Sequence, residues 1–145
     1  MTVKIEKYNV NFRSQIIDIW EESVRATHHF LHSTDFDFYK SMVKEIDFTA
    51  FDVFCILTES SEMAGFFGVA DKKLEMLFLK PSFIGQGIGK LSLGFALNEL
   101  KITEVDVNED NINAVIFYQK NGFKIYDRMP LDSTNKPYPI LKMKL

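Results

Sequence analysis

Three glycines in five residues, Gly85, Gly87 and Gly89, join an apolar run to an amphipathic helix in the segment Leu77-Phe-Leu-Lys-Pro-Ser-Phe-Ile-Gly-Gln-Gly-Ile-Gly-Lys90. Glycine admits backbone conformations closed to other residues and leaves no side chain between the main chain and a ligand. The helix start that follows carries unpaired N–H donors and partial positive charge, so phosphate or pyrophosphate is its natural guest. A chain built around such a junction reads as an α/β protein that holds a phosphorylated cofactor.

Two familiar phosphate loops fail letter by letter. A nucleotide P-loop requires glycine and Ser/Thr where this chain has Ile84 and Leu91. The dinucleotide fingerprint, Gly-x-Gly-x-x-Gly, would put its third glycine at Lys90 or Ser92. The junction belongs to another class of loop.

The rest of the chain narrows the frame. Its 145 residues suit one domain, 1–145, and 46% apolar content with 14 Phe is ample for a core. A net charge of −3 gives no footprint for nucleic acid. No apolar run reaches the ~20 residues of a membrane span, and the start resembles no signal peptide. The single cysteine, Cys55, excludes an internal disulfide framework and fits a reducing cytoplasm. Set in an apolar strand, it reads as a buried thiol.

Periodicity predicts a strand over 3–8, a helix over 12–28 with Phe12, Ile16, Ile19 and Trp20 in phase, and a second helix over 35–46 carrying Phe38, Met42 and Ile46. Strands follow at 52–59 and 63–70 around a Ser60-Ser61-Glu62 turn. Residues 74–79 read as a strand covered on both faces. The helix after the glycines shows apolar sets at 88, 91, 95 and 93, 96, 97, 100, which predicts a largely enclosed helix. In the strand over 102–108, Val105 and Val107 face one way and Glu104, Asp106 and Asn108 the other. Asn111 is a natural N-cap for a helix stopping at Asn121-Gly122, and strands at 123–129 and 138–145 close the sheet.

Two blocks together resemble the GCN5-related N-acetyltransferases (GNAT). The first is the glycine segment, similar to the family's Arg/Gln-x-x-Gly-x-Gly/Ala loop, with Ile84 where the family has Arg or Gln. The second is Asn108-Glu-Asp-Asn-Ile-Asn-Ala-Val-Ile-Phe-Tyr-Gln-Lys-Asn-Gly-Phe123, similar to N-x-x-A-x-x-x-Tyr-x-x-x-Gly-Phe. The element order matches along the whole chain. The resemblance implies a GNAT fold, a central mixed, mostly antiparallel sheet of six to seven strands flanked by about four helices. It implies acetyl-CoA as co-substrate, held by the main chain of Gly85, Gln86, Gly87, Ile88, Gly89 and Lys90 and by Asn111. Leu77, Phe78 and Leu79 would receive the thioester oxygen on their backbone N–H groups. Tyr118 would protonate the departing thiolate, although its spacing from Phe117 and Ala114 also suits a core tyrosine.

An amine acceptor arrives protonated and needs a base. Asp106, on the polar face of its strand, and Glu75, a carboxylate interrupting an apolar strand, qualify; an edge ion pair is the plain alternative for each. The first helix and the tail Asn135-Lys-Pro-Tyr-Pro-Ile-Leu-Lys142 look similar to bacterial YjaB-type acetyltransferases, which are described as peptidyl-lysine N-acetyltransferases. That likeness makes His28, Phe30 and Tyr138 candidates for substrate contact and leaves His29 an exposed neighbour; capping the helix end is an equal reading of His28. No metal site is expected, because no histidines or carboxylates stand at ligand spacing.

The reading is a cytoplasmic acetyl-CoA-dependent N-acetyltransferase. Its acceptor is a small-molecule amine, a protein lysine or an N-terminus, with no nucleic acid or membrane partner; a homodimer stays open. The alternative is a module that binds and senses acyl-CoA without turnover, motivated by Ile84.

Overall fold

The structure, a computed structural model, describes residues 2–145. Its elements are β1 (Val3–Lys7), α1 (Arg13–Thr27), α2 (Ser33–Lys44), β2 (Asp52–Thr58), β3 (Met63–Ala70), β4 (Lys73–Leu79), α3 (Ile88–Asn98), β5 (Glu104–Asn108), α4 (Ile112–Lys120), β6 (Lys124–Met129) and β7 (Ile140–Lys144). The strands form one seven-stranded sheet in the order β1-β2-β3-β4-β5-β7-β6. Every neighbouring pair is antiparallel except β4 and β5. No helix among the described residues is long and apolar enough to cross a membrane.

Period-two alternation gives the sheet two cores. On one face Val53, Cys55, Leu57 and Phe66 pack against Ile16, Ile19, Trp20 and Val24 of α1 and Phe36 and Val43 of α2. On the other, Ile56, Phe67, Val105 and Val107 pack with Ile88, Leu93 and Ala96 of α3 and Tyr118 of α4. Strand β3 is buried along almost its full length because it lies between both layers. Cys55 is fully enclosed and its thiol is pushed up to about 12 by burial, so it is inert.

Local signals hold at the turns. Thr58 N–H donates to Glu62 O at 2.8 Å across the β2–β3 hairpin. Asn111 caps α4, accepting from Ala114 N–H at 3.4 Å, and Gly122 stops it at φ +95°.

Three expectations are corrected. On α2, Phe38 and Met42 are 42% and 43% exposed, and Phe36 and Val43 face the core instead. The helix carries two apolar stripes, and docking against α1, where Phe36 stacks on Trp20, selects one. On α3, Leu91 is exposed, so one flank of that helix is open. On β4 most residues are only half-buried, because the strand loses its neighbour on one side. Two boundaries also move: β5 begins at Glu104 and β7 at Ile140, just after Pro139, which has no N–H for the ladder.

Candidate active site

The cleft starts where the parallel pairing of β4 and β5 ends. Leu74 and Val105 are the last partners of β4 and β5, whereas β5 stays paired to β7 as far as Asn108 and Ile140. Directly after Leu74 the β3–β4 register jumps from Val69↔Leu74 to Gly68↔Met76, leaving Glu75 as an extra, bulged residue. A bulge bends its strand and raises its twist. Strand β4 therefore veers away from β5, and a cavity of about 620 Å³ opens between them. Leu77, Phe78 and Leu79 line it with their β5 flank free of ladder partners.

The glycine segment forms one wall. Gly85 and Gly87 have φ of +82° and +84°, and a Cβ built on either meets nothing within 4 Å. Their glycine requirement is thus conformational, and the space above them is open. Gly87 caps α3 without any side-chain hydrogen bond, and the first amide of the segment to find a backbone acceptor is Leu91, at 3.1 Å from Gly87 O. The N–H groups of residues 85–90 find no acceptor among the described residues, an array suited to the charged oxygens of a diphosphate. Gly89 differs: a Cβ there meets Phe117 at an ordinary 3.5 Å, so the packing of α4 against α3 does not demand glycine. The Gln86 side chain turns back to donate to Ser82 O at 2.9 Å, and Ile88 is buried, leaving only their backbone for a ligand. Ile84 is exposed on the cleft rim, and Lys90 lines the wall.

Tyr118 and Asp106 enter the cleft from α4 and β5. Tyr118 is 7% exposed and packs edge-on against Phe117 and Phe123. Burial alone raises its phenol well above the ordinary value, with no hydrogen bond contributing. The one sealed side-chain polar atom without a partner, among the described residues, is Asp106 Oδ1. The other carboxylate oxygen is held by Lys73 Nζ at 3.0 Å, with Lys142 Nζ at 3.8 Å. Glu75 is not the buried carboxylate its apolar neighbours suggested: at the bulge it lines the cleft exposed to solvent, 3.6 Å from Lys73 Nζ. The cleft is charge-ordered, with Glu75 and Asp106 on the strands and Lys90 and Lys120 on the helices.

His28 lines the cleft from the C-terminus of α1. A helix terminus favours a cation there by ~0.3–1 kcal/mol. Desolvation, helped by His29, outweighs that and lowers the imidazole to about 4, so the ring is neutral. Phe30 and Tyr138 stand behind it, at ring distances of 5.2 Å from His28 to Phe30 and 6.1 Å from Phe30 to Tyr138. Tyr138 is buried; its hydroxyl donates to Asp35 and accepts from His32 N–H, which ties the segment before β7 to α2. His29 is exposed. Sequence reasoning missed Ser23, Thr27 and Lys73. Ser23 had a signal, a small polar residue in phase with Ile16, Ile19 and Trp20; Lys73 had none before the register was known.

Known proteins place this geometry. A family model described as "Acetyltransferase (GNAT) domain" matches residues 17–130. The chain is 34% identical over 146 residues to peptidyl-lysine N-acetyltransferase YjaB of Salmonella typhimurium, covering 99% of this chain and 98% of that one. The Escherichia coli YjaB is 31% identical over 147 residues, with 99% and 97% covered. The solution structure of apo YjaB from Escherichia coli superposes with a TM-score of 0.91 at 29% identity, over 99% of this chain and 97% of that chain. PaiA N-acetyltransferase from Thermoplasma acidophilum, solved in complex with coenzyme A, shares the fold with a TM-score of 0.74 at 22% identity over the full length of both chains. With the diverging strands, the amide-lined turn and the matching family model in hand, the chain belongs to the GNAT acetyltransferases.

Proposed function

We propose that this protein is an acetyl-CoA-dependent N-acetyltransferase acting on lysine side chains of proteins. One observation carries the reading: the unpaired amides of residues 85–90 and the phenol of Tyr118 open onto the same cleft. Acetyl-CoA supplies an acetyl group activated as a thioester. The amides would hold its diphosphate, with Lys90 adding charge and Asn111 beside its arm, while the N–H groups of Leu77 to Leu79 receive the thioester oxygen. The names of the YjaB relatives support a lysine acceptor. So do Glu75 and Asp106, two carboxylates that attract a cationic amine and relay its first proton to water.

Tyr118 then serves as the general acid. Its raised pKa keeps the phenol protonated throughout the physiological range, so it donates and does not act as a base. A thiolate released beside the buried phenol loses part of its hydration too, and its basicity rises with that of the phenol.

The test combines purified protein, acetyl-CoA and a panel of amines that includes lysine peptides and polyamines, with free thiol measured. Release that requires a lysine peptide and collapses in Tyr118→Phe supports the reading. A second reading, an acyl-CoA sensor, is favoured by the apolar Ile84 at the rim of the phosphate loop. Tight acetyl-CoA binding with no thiol released for any amine selects the sensor.

A further inference from the structure

We infer that His28 accepts the second proton of the acceptor amine through Nε2, and that Thr27 is the residue that keeps Nε2 unprotonated. This rests on the acetyltransfer reading above and assigns a step that reading leaves open. A protonated amine must shed two protons before it becomes an amide. The first leaves before attack; the second leaves the nitrogen after it has bonded to the acetyl carbon and become acidic.

The geometry fixes the tautomer. Thr27 Oγ1 lies 2.8 Å from Ser23 O, a carbonyl that can only accept, so the single hydroxyl proton points there. The same Oγ1 lies 2.7 Å from His28 Nδ1. With its proton spent on Ser23, Oγ1 accepts, and Nδ1 must carry the N–H. Nε2 is left with a lone pair, on a ring that lines the cleft. Phe30 and Phe78 pack the ring at 5.2 and 6.4 Å and hold its plane. His29 is the titratable group that acts on the ring; Glu75, Lys90, Asp106, Tyr118 and Lys120 line the same cleft without bonding to it. The ring's lowered pKa agrees with a site that holds the imidazole neutral until a strong acid meets it.

The step balances. The amine nitrogen forms the C–N bond, its proton passes to Nε2, the C–S bond breaks, and the thiolate sulfur takes the Tyr118 proton. The imidazolium and the phenolate are then restored by proton exchange through water.

The test uses the full chain, acetyl-CoA and a lysine peptide with a blocked N-terminus. His28→Gln is expected to lower kcat by about 10²-fold while leaving acetyl-CoA affinity unchanged. Thr27→Val, which frees the tautomer, is expected to lower kcat about tenfold, and Thr27→Ser to restore it. Nitrogen-15 NMR of the native protein near pH 7 reads the tautomer without any substitution, and an Nδ1–H ring is expected. An Nε2–H ring, or a His28→Gln kcat within about twofold of native, overturns the inference. If the variant melts early and loses acetyl-CoA binding, the NMR result on the native chain decides. A native protein that releases no thiol overturns the acetyltransfer reading and this step with it; an active native protein with insensitive His28 variants overturns this step alone.

Discussion

Leu74 of β4 and Val105 of β5 form the last pair of the one parallel ladder among the described residues, and the next residue on β4, Glu75, is a bulge. The cleft, the glycine turn and the phenol are arranged around that point of divergence. Packing and chemistry can therefore be perturbed separately there.

Gly87→Ala and Gly89→Ala are expected to part company. Alanine at the positive φ of Gly87 costs about 1–2 kcal/mol and disturbs the unpaired amides, so melting temperature and coenzyme A affinity both fall. At Gly89 the new methyl meets Phe117 at ordinary contact distance, and the melting temperature stays near native. Calorimetric titration with coenzyme A alongside a melt of each variant checks the pair.

Ile84→Arg restores the kind of side chain that the GNAT loop pattern carries. The site is exposed, so a new contact to a phosphate is worth only about 0.5–1 kcal/mol, or two- to fivefold in coenzyme A affinity. That gain should vanish at high salt, whereas native affinity changes less.

Tyr118→Phe should lower kcat by about 10²-fold with coenzyme A affinity intact. Removing a hydroxyl without a protein partner should leave stability within about 0.5 kcal/mol of native. Because burial raises the phenol above its ordinary value, its contribution to stability is level below pH ~10 and is lost as the pH climbs above that, since the unfolded chain ionises first. A melting series from pH 8 to 11 on both proteins reads the difference.

Lys73→Met strips Asp106 of its closer cation and leaves Lys142 at 3.8 Å as the remaining partner. Half-screened as it is, the loss should cost roughly 1–2 kcal/mol. The double variant with Asp106→Asn should recover much of that, and a double-mutant cycle in denaturant measures it.

Acid should destabilise the protein through His28. Its imidazole is lowered to about 4 in the folded state, so stability is full above the ordinary histidine value and is lost as the pH falls from there toward 4. At pH 5 the loss is roughly 2 kcal/mol, and His28→Gln should flatten the melting profile between pH 7 and pH 5.

What the residues determined alone is local. Gly85, Gly87 and Gly122 announced backbone that other residues avoid, Asn111 announced a helix start, and the alternation of Val105 and Val107 with Asp106 set which face of β5 is wet. These are rules of near neighbours, so the element order, the glycine turn and the family resemblance were all legible in order along the chain. Tertiary structure decided what depends on partners distant in sequence. It chose Phe36 over Phe38 for the core, left Glu75 exposed at a bulge, joined Lys73 to Asp106 across two strands, and gave the Tyr138 hydroxyl to Asp35. Periodicity leaves such choices open because several faces satisfy it equally, and only the registry between elements breaks the tie.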